Sequence, residues 1–341
     1  MNFEYLSKIL LKDAEYVNRS IRLNSFDGKI ILITGATGLI GLNLIAAMIF
    51  YKNTLKDKQI TIYAVSHTKP EGFIGEFFTK NNINIIFGDI TDYSFLKKLP
   101  KAHIVMHCAG YGQPGKFMAN KIKTIAINTT STIELLGKIR KDGNFLFISS
   151  SEIYSGNINE DEETYIGYTN TNHPRSCYIE GKRTGEAIVN AAREEGMNAV
   201  SARLALAYGP GVKHDDVRVL NQLISKGLKG RIDLLDSGSA IRTYGYVSDI
   251  VIMLLNLIIK SKHSFYNVGG ESTLTIKGLA EKIGQKLNSK VFLPENLTSG
   301  IDGAPDHVEL NLNRIKDEYG LTQFIDIDEG LKRTIEWIKN S

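Results

Sequence analysis

From Lys29 onward, short β-branched runs alternate with longer segments of helical periodicity, and this alternation narrows the possible folds more than any other feature. Strand candidates are Ile30–Thr34, Ile60–Val65, Ile83–Phe87, Ile104–Cys108, Phe145–Ser149 and Ala199–Leu204; Leu39–Phe50 and Thr124–Arg140 are helix candidates between them. Regular alternation of strand and helix implies a parallel sheet covered on both faces, hence an α/β, doubly wound fold. After about Leu206 the pattern becomes irregular, broken by Gly209-Pro-Gly211, Gly269-Gly270 and Pro294. A smaller lobe over the carboxyl ends of the strands is expected there. A chain of 341 residues agrees with two lobes, since single cores stop growing at roughly 250–300 residues.

Ahead of the alternating region, Leu6, Ile9, Leu10, Val17 and Ile21 keep approximate helical spacing. The segment reads as a helix docked on the body, with a partner-binding arm as the alternative. Glu4, Asp13 and Glu15 interrupt its apolar residues, so it is not expected to be a signal peptide. The run Val251–Ile259 is too short for a bilayer, which needs about 20 apolar residues, and is expected to be a buried helix. The 41 basic and 37 acidic residues are mixed along the chain and give a formal charge of +4, with no patch dense enough for a nucleic-acid footprint. Cys108 and Cys177 have no partner spacing, which suggests a reducing, cytoplasmic setting and excludes a disulfide scaffold. No metal site is expected.

The first strand candidate runs into Thr34-Gly-Ala-Thr-Gly-Leu-Ile-Gly41, which opens the first helix candidate. In that context Gly35 permits a tight turn, Gly38 lets backbone approach a pyrophosphate, and Gly41 allows close packing of helix on strand. Backbone amides at the helix start would meet the phosphates. A glycine-rich turn without a ligand would share the pattern. At the end of the second strand, where an acid would hold the adenosine ribose of NAD, the chain reads Val65-Ser66-His67-Thr68-Lys69. Ser66 and Lys69 could tolerate a 2′-phosphate, so NADP stays open beside NAD.

Tyr178 and Lys182 lie four residues apart, on one face of a helix. A free phenol with a pKa of about 10 is ionised to roughly one part in a thousand at pH 7. A neighbouring ammonium is expected to favour the phenolate and so make Tyr178 a proton acceptor for a substrate hydroxyl. Phe147-Ile-Ser-Ser-Ser-Glu-Ile-Tyr154 ends a strand candidate and brings hydroxyls and a carboxylate to the same crevice. Ser150 is the natural orienting hydroxyl. Glu152 could act as acid or base at a carbon beside an oxidised position, or cap the next turn; Ser151 lies between the two.

Together with Asp89, His107-Cys-Ala-Gly110, Asn128, Arg203, Tyr208-Gly-Pro210, Arg242 and Tyr246-Val-Ser-Asp249, these motifs resemble the extended short-chain dehydrogenase/reductase family of nucleotide-sugar enzymes. The resemblance runs from about Lys29 to Gly270. Pro174-Arg-Ser-Cys-Tyr-Ile-Glu-Gly-Lys-Arg183, Asp215-Asp-Val-Arg218 and Ser237-Gly-Ser-Ala-Ile-Arg242 are most similar to UDP-glucuronate decarboxylases. The resemblance implies a Rossmann-type fold and division into a helical extension at 1–27, a dinucleotide-binding domain at 28–205 and a mainly substrate-binding domain at 206–341 with segments returning to the first. It implies a tightly held nicotinamide cofactor contacted by Gly35, Thr37, Gly38, Leu39, Ile40, Ser66, Asp89, Ile90, Cys108, Ala109, Gly110, Asn128, Tyr178 and Lys182. It further implies oxidation of a nucleotide-diphosphate sugar at carbon 4, with Tyr178 as base, Lys182 as its partner, and Ser150, Ser151 and Glu152 completing the catalytic set. Gln113, Arg218 and Arg242 would bind substrate, and relatives commonly form homodimers. As isolated residues, Asp89 could be a turn aspartate and both arginines surface ion pairs.

Ser151-Glu152 stands where dehydratases of this family carry Asp-Glu, which argues against 4,6-dehydration. Decarboxylation is the leading expectation, with 4-epimerisation, 4-keto reduction and 4-dehydrogenation as alternatives and a non-catalytic dinucleotide sensor least expected. Two departures touch the sugar pocket. Leu206 replaces a usual Asn before Tyr208-Gly-Pro210, and Tyr111 and Gln113 stand where smaller residues are common.

Overall fold

The computed structural model describes residues 2–54, 59–155, 163–294 and 306–341. Its strands are β1 Ile30–Thr34, β2 Thr61–Ser66, β3 Asn84–Phe87, β4 Ala102–His107, β5 Ile139–Ser150, β6 Asn198–Leu204, β7 Leu206–Tyr208, β8 Arg231–Asp233, β9 Ile241–Tyr246, β10 Phe265–Val268, β11 Ser272–Thr275, β12 Lys290–Phe292 and β13 His307–Val308. Seven of these form one sheet in the order β10-β6-β5-β4-β1-β2-β3, and every pair in it is parallel. The order reverses between β1 and β4. In open α/β sheets ligands bind at such a switch point, outside the carboxyl ends of the strands.

Period-two alternation along the strands supplies both faces of the sheet. On β1, Ile31 and Ile33 join one core, with the helices Leu39–Thr54 and Val247–Ile259, while Leu32 joins the other, with Val105, Phe145 and Phe147. A third core holds the second lobe together around Leu223, Ile224, Ile232, Leu279, Ile283 and Leu331. There β9 pairs with β7, β11 and β13, and β12 pairs with β8.

All six expected strands of the central sheet are present, and the seventh, β10, is contributed after the second lobe has begun. The helix expected over Thr124–Arg140 is instead two helices, Lys121–Asn128 and Thr130–Leu136. Thr129 leaves helical geometry at φ −113° and ψ −79°. The Ser131 hydroxyl donates to the Ile90 carbonyl at 2.7 Å, which ties the break to the loop after β3. Past Gly137 the Ala102 amide donates to the Lys138 carbonyl at 2.9 Å, so the chain is captured by the sheet and continues as β5.

The N-terminal helix Phe3–Ser20 buries Leu6, Leu10, Asp13, Ala14 and Val17 and packs on helices Leu39–Thr54, Val247–Ile259 and Ile327–Asn340. It is the docked helix, not a free arm. Val251–Ile259 lies inside the buried helix Val247–Ile259, and among the described residues no helix is long and apolar enough to cross a membrane.

Candidate functional site

The turn after β1 needs its glycines. Gly35 has φ +67°, and a Cβ there would lie 2.6 Å from the Cys108 carbonyl oxygen at the end of β4. Only a residue without a side chain lets these two loops meet at the switch point. A Cβ on Gly41 would lie 2.5 Å from the Gly35 oxygen, so the helix Leu39–Thr54 sits directly on the turn. Gly38 differs, because a Cβ there would meet only the Gly35 oxygen at 3.3 Å and otherwise open space. Leu39 is buried, Thr37 and Ile40 are half-buried, and Lys213 donates to the Thr37 hydroxyl at 3.5 Å. The open flank at Gly38 and the unspent amides of the helix start fit a dinucleotide pyrophosphate.

The loops after the neighbouring strands complete this cradle. Cys108 and Ala109 are half-buried, Gly110 is exposed, and the Ala109 amide donates to the Thr34 hydroxyl at 3.3 Å. His107 beneath them accepts from that hydroxyl through Nδ1 at 2.8 Å and donates through Nε2 to the Ile127 carbonyl at 2.9 Å. Burial holds its pKa down at about 4, so it is a neutral structural group. Burial pushes the Cys108 thiol up to about 12, which removes it as a nucleophile. Asn128 is buried, donates to the Thr124 carbonyl at 2.8 Å, and keeps its Oδ1 without a hydrogen-bond partner among the described residues. An orphaned acceptor in this position fits a polar ligand.

At the end of β2, Ser66 is buried and its hydroxyl is occupied by the Thr68 carbonyl at 2.7 Å, while His67, Thr68 and Lys69 are exposed. Asp89 accepts from the Thr91 amide and hydroxyl at 2.9 and 2.7 Å and pairs with Lys123 at 2.5 Å. These donors hold its carboxyl down at about 2 despite partial burial. Ile90 beside it is buried.

Ser150 ends β5 and caps a short 3-10 helix, Ser151–Tyr154, by accepting from the Glu152 amide at 3.2 Å. Ser151 is half-buried. Tyr178 and Lys182 lie on the helix Ser176–Glu194, with Nζ 5.7 Å from the Tyr178 ring centre. Lys182 donates to the Ile148 carbonyl at 2.6 Å and would lie 3.8 Å from a Cβ on Gly110. Lys182 and the loop after β4 therefore face each other.

The electrostatics differ from the expected ones. Burial lowers the Lys182 pKa to about 7, against Cys108 and Glu186, so its charge is only partial at neutral pH. Tyr178 is raised to about 12, first by burial and then by Glu152, while a hydrogen bond with Ser150 and the charges of Arg175 and Arg218 act the other way. Spacing places the Lys182 amine beside the ring, but burial and Glu152 set the direction of the Tyr178 shift.

Glu152 is clamped by Arg175, whose Nε donates to Oε2 at 2.9 Å and whose Nη2 donates to Oε1. Arg242 feels both of these charges and donates to the Ile241 and Asp306 carbonyls at 2.7 and 3.2 Å. Arg218 is held by Asp216, with Nη2 2.6 Å from Oδ2. Gln113 is buried with its Oε1 unpartnered among the described residues, and Tyr111 packs against the core. Leu206 forms the start of β7 and packs on the second-lobe core. Arg203, one of the resemblance motifs, lies in a buried ion pair with Glu186 at 2.8 Å and supports the sheet.

Three residues given no role by sequence join the site: Arg175, Phe117 and Lys123. The Phe117 ring stacks on Tyr178 at 4.6 Å and 15°. Arg175 lies three residues before Tyr178, one helical turn back, so its proximity was readable from spacing. No sequence signal marks Phe117.

The chain is 29% identical over 322 residues to UDP-glucuronic acid decarboxylase 1 of Danio rerio, covering 92% of this chain and 74% of that one. It shares its fold with UDP-glucose 4-epimerase of Thermotoga maritima solved with UDP-glucose, at a TM-score of 0.77 and 21% identity over 91% of this chain and 99% of that one. The same holds for MoeE5 in complex with UDP-glucuronic acid and NAD, at 0.73 and 20% over 91% and 99%. The model of the NAD dependent epimerase/dehydratase family matches residues 31–269, more than half of the chain, and the chain belongs to that family.

Proposed function

We propose that this protein oxidises a nucleotide-diphosphate sugar at carbon 4 and decarboxylates it, in the manner of a UDP-glucuronate decarboxylase. The observation that carries this reading is the Glu152 carboxylate, clamped by Arg175 and felt by Tyr178, with the Arg242 guanidinium within the field of both as the cation for a sugar acid. The similarity to a named decarboxylase over most of the chain supports it.

Bound in the cradle after β1, NAD would supply a reversible hydride acceptor for carbon 4. Tyr178 accepts the carbon-4 hydroxyl proton, and Ser150, hydrogen-bonded to Tyr178, orients that hydroxyl. The protonated form of Lys182, with Nζ 5.7 Å from the Tyr178 ring centre, is the one that would favour the phenolate. The resulting carbon-4 ketone makes the carbon-5 carboxylate a β-keto acid. The bond from carbon 5 to carbon 6 breaks, carbon dioxide leaves, and the electron pair enters an enolate. A proton from solvent, relayed by Glu152 or Ser151, then takes the place of the carboxyl group on carbon 5, and Tyr178 gives its proton back to the oxygen on carbon 4. In this reading Glu152 and Ser151 serve the carbon-5 proton, and Arg242, Arg218 and Gln113 bind the substrate. Asn128, Asp89 and the three glycines hold the cofactor.

A second reading, net redox with NADP, is supported by the end of β2, where Val65-Ser66-His67-Thr68-Lys69 carries no acid and Lys69 is exposed. A homodimer and a cytoplasmic setting complete the proposal. The dimer is supported by exposed Ile122, Ile125 and Ile133 on neighbouring helices, and the setting by two free cysteines. Incubation with UDP-glucuronate, UDP-glucose and their N-acetyl counterparts, read by chromatography with mass spectrometry and by proton NMR, separates these outcomes. A UDP-pentose from UDP-glucuronate without consumed cofactor supports decarboxylation; a mass-neutral UDP-hexose change or consumed NADPH replaces it with an alternative.

A further inference from the structure

Arg175 touches more of the candidate site than any one substrate contact would require. It caps the helix Ser176–Glu194 in a non-helical geometry, φ −98° and ψ 3°, and from there both oxygens of Glu152 are within reach. Its guanidinium carbon also lies 5.1 Å from the centre of the Phe117 ring. That ring is itself stacked on Tyr178. Phe117 is fully buried, on the short helix Pro114–Ala119, and the Cys177 thiol meets its carbonyl at 3.8 Å.

We propose that Arg175 is a positioning residue that fixes two reacting groups together, clamping the Glu152 carboxylate directly and holding the Tyr178 ring through Phe117. The inference rests on the assignment of Tyr178 and Glu152 as reacting groups. Its physical basis is directional. A bidentate fork sets the carboxylate plane, which a lysine ammonium cannot do, and a cation over a ring face favours one orientation of that ring. An aromatic pair at stacking distance transmits that orientation to the phenol. Arg175 itself need not touch substrate.

The test uses the full-length protein with bound NAD and four variants, R175M, R175K, F117L and E152Q. The ring resonances of Tyr178, assigned with Y178F in tyrosine-labelled protein, report the stack through the ring current of Phe117 and need no substrate. R175M and F117L are expected to move these resonances, and R175K to restore them only in part. R175M is expected to lower kcat by about 10–100-fold with KM nearly unchanged, as for a misplaced reacting group. In the E152Q background the same change is expected to cost much less, because the two residues act as a unit. If R175M does not fold, R175K and F117L carry the same readouts. Unmoved Tyr178 resonances, with full additivity of R175M and E152Q, would overturn the proposal. Moved resonances in a protein that turns over no nucleotide sugar would instead sustain the clamp and remove the proposed activity.

Discussion

Asp13, in the first helix, and Arg333, in the last, form an ion pair at 2.8 Å whose carboxylate is almost wholly buried. The Tyr246 hydroxyl donates to the other oxygen of Asp13 at 2.5 Å, so one carboxylate joins the N-terminal helix, the C-terminal helix and β9. Asp13→Ala leaves the buried Tyr246 hydroxyl without its acceptor, while Arg333 keeps Glu329 at 2.7 Å. A loss of about 2 kcal/mol in unfolding free energy is expected, measured by urea denaturation. An unchanged midpoint would show that the N-terminal helix is not held by this contact.

Asp249 lies nearby, accepting from the Ile325 amide at 2.8 Å and the Tyr16 hydroxyl at 3.3 Å. Burial raises its pKa to about 6. A raised carboxyl contributes stability that is complete below the ordinary value and is lost as pH rises through the folded one, here from about pH 4 to 6. The loss is about 3 kcal/mol at most. Melting curves of the wild type and Asp249→Asn between pH 4 and 7 should therefore diverge, with the wild type losing stability more steeply.

Gly35→Ala should weaken NAD binding by at least about tenfold, because the new Cβ meets the Cys108 carbonyl at 2.6 Å and forces the β1 and β4 loops apart. Gly28→Ala is the control. Gly28 also has positive φ, +70°, but a Cβ there meets nothing within 4 Å. Calorimetric titration with NAD should distinguish the two variants, and equal affinities would contradict the proposed cradle.

Tyr178→Phe keeps the ring on Phe117 and removes only the hydroxyl. Turnover should fall by about 10²–10⁴-fold, with the melting temperature nearly unchanged. Steady-state kinetics alongside differential scanning calorimetry gives both quantities.

Ile122 is 81% exposed, and Ile125 on the same helix and Ile133 on the next are exposed as well. Ile122→Glu should convert a dimer to a monomer, read by light scattering after size-exclusion chromatography. A wild-type protein that is already monomeric would remove the proposed pairing.

Much of this architecture is legible in the sequence because parallel strands buried on both faces leave continuous β-branched runs, as in Ile30–Thr34 and Phe145–Ser149. Periodicity reads poorly across short breaks. Thr124–Arg140 keeps a helical average although Thr129 interrupts it and the sheet takes over from Ile139. The four residues of β10 are too short a run to stand out. Within the site, Tyr178, Lys182 and the backbone placement of Ser150 follow from spacing. Their electrostatics do not, because the burial that lowers Lys182 and raises Tyr178 comes from residues distant in sequence. Phe117 is hidden for the same reason. Arg175 stood one turn from Tyr178 and was readable, but its partner Glu152 arrives from another element.

UDP-glucuronate labelled with ¹³C at carbon 6, incubated with the NAD-loaded protein and followed by NMR, tests the central claim most directly. The label is expected to appear as bicarbonate, in equal amount to a UDP-pentose, with no net NADH. A label that stays on the sugar, whether unchanged or in an epimerised product, would contradict decarboxylation at this site.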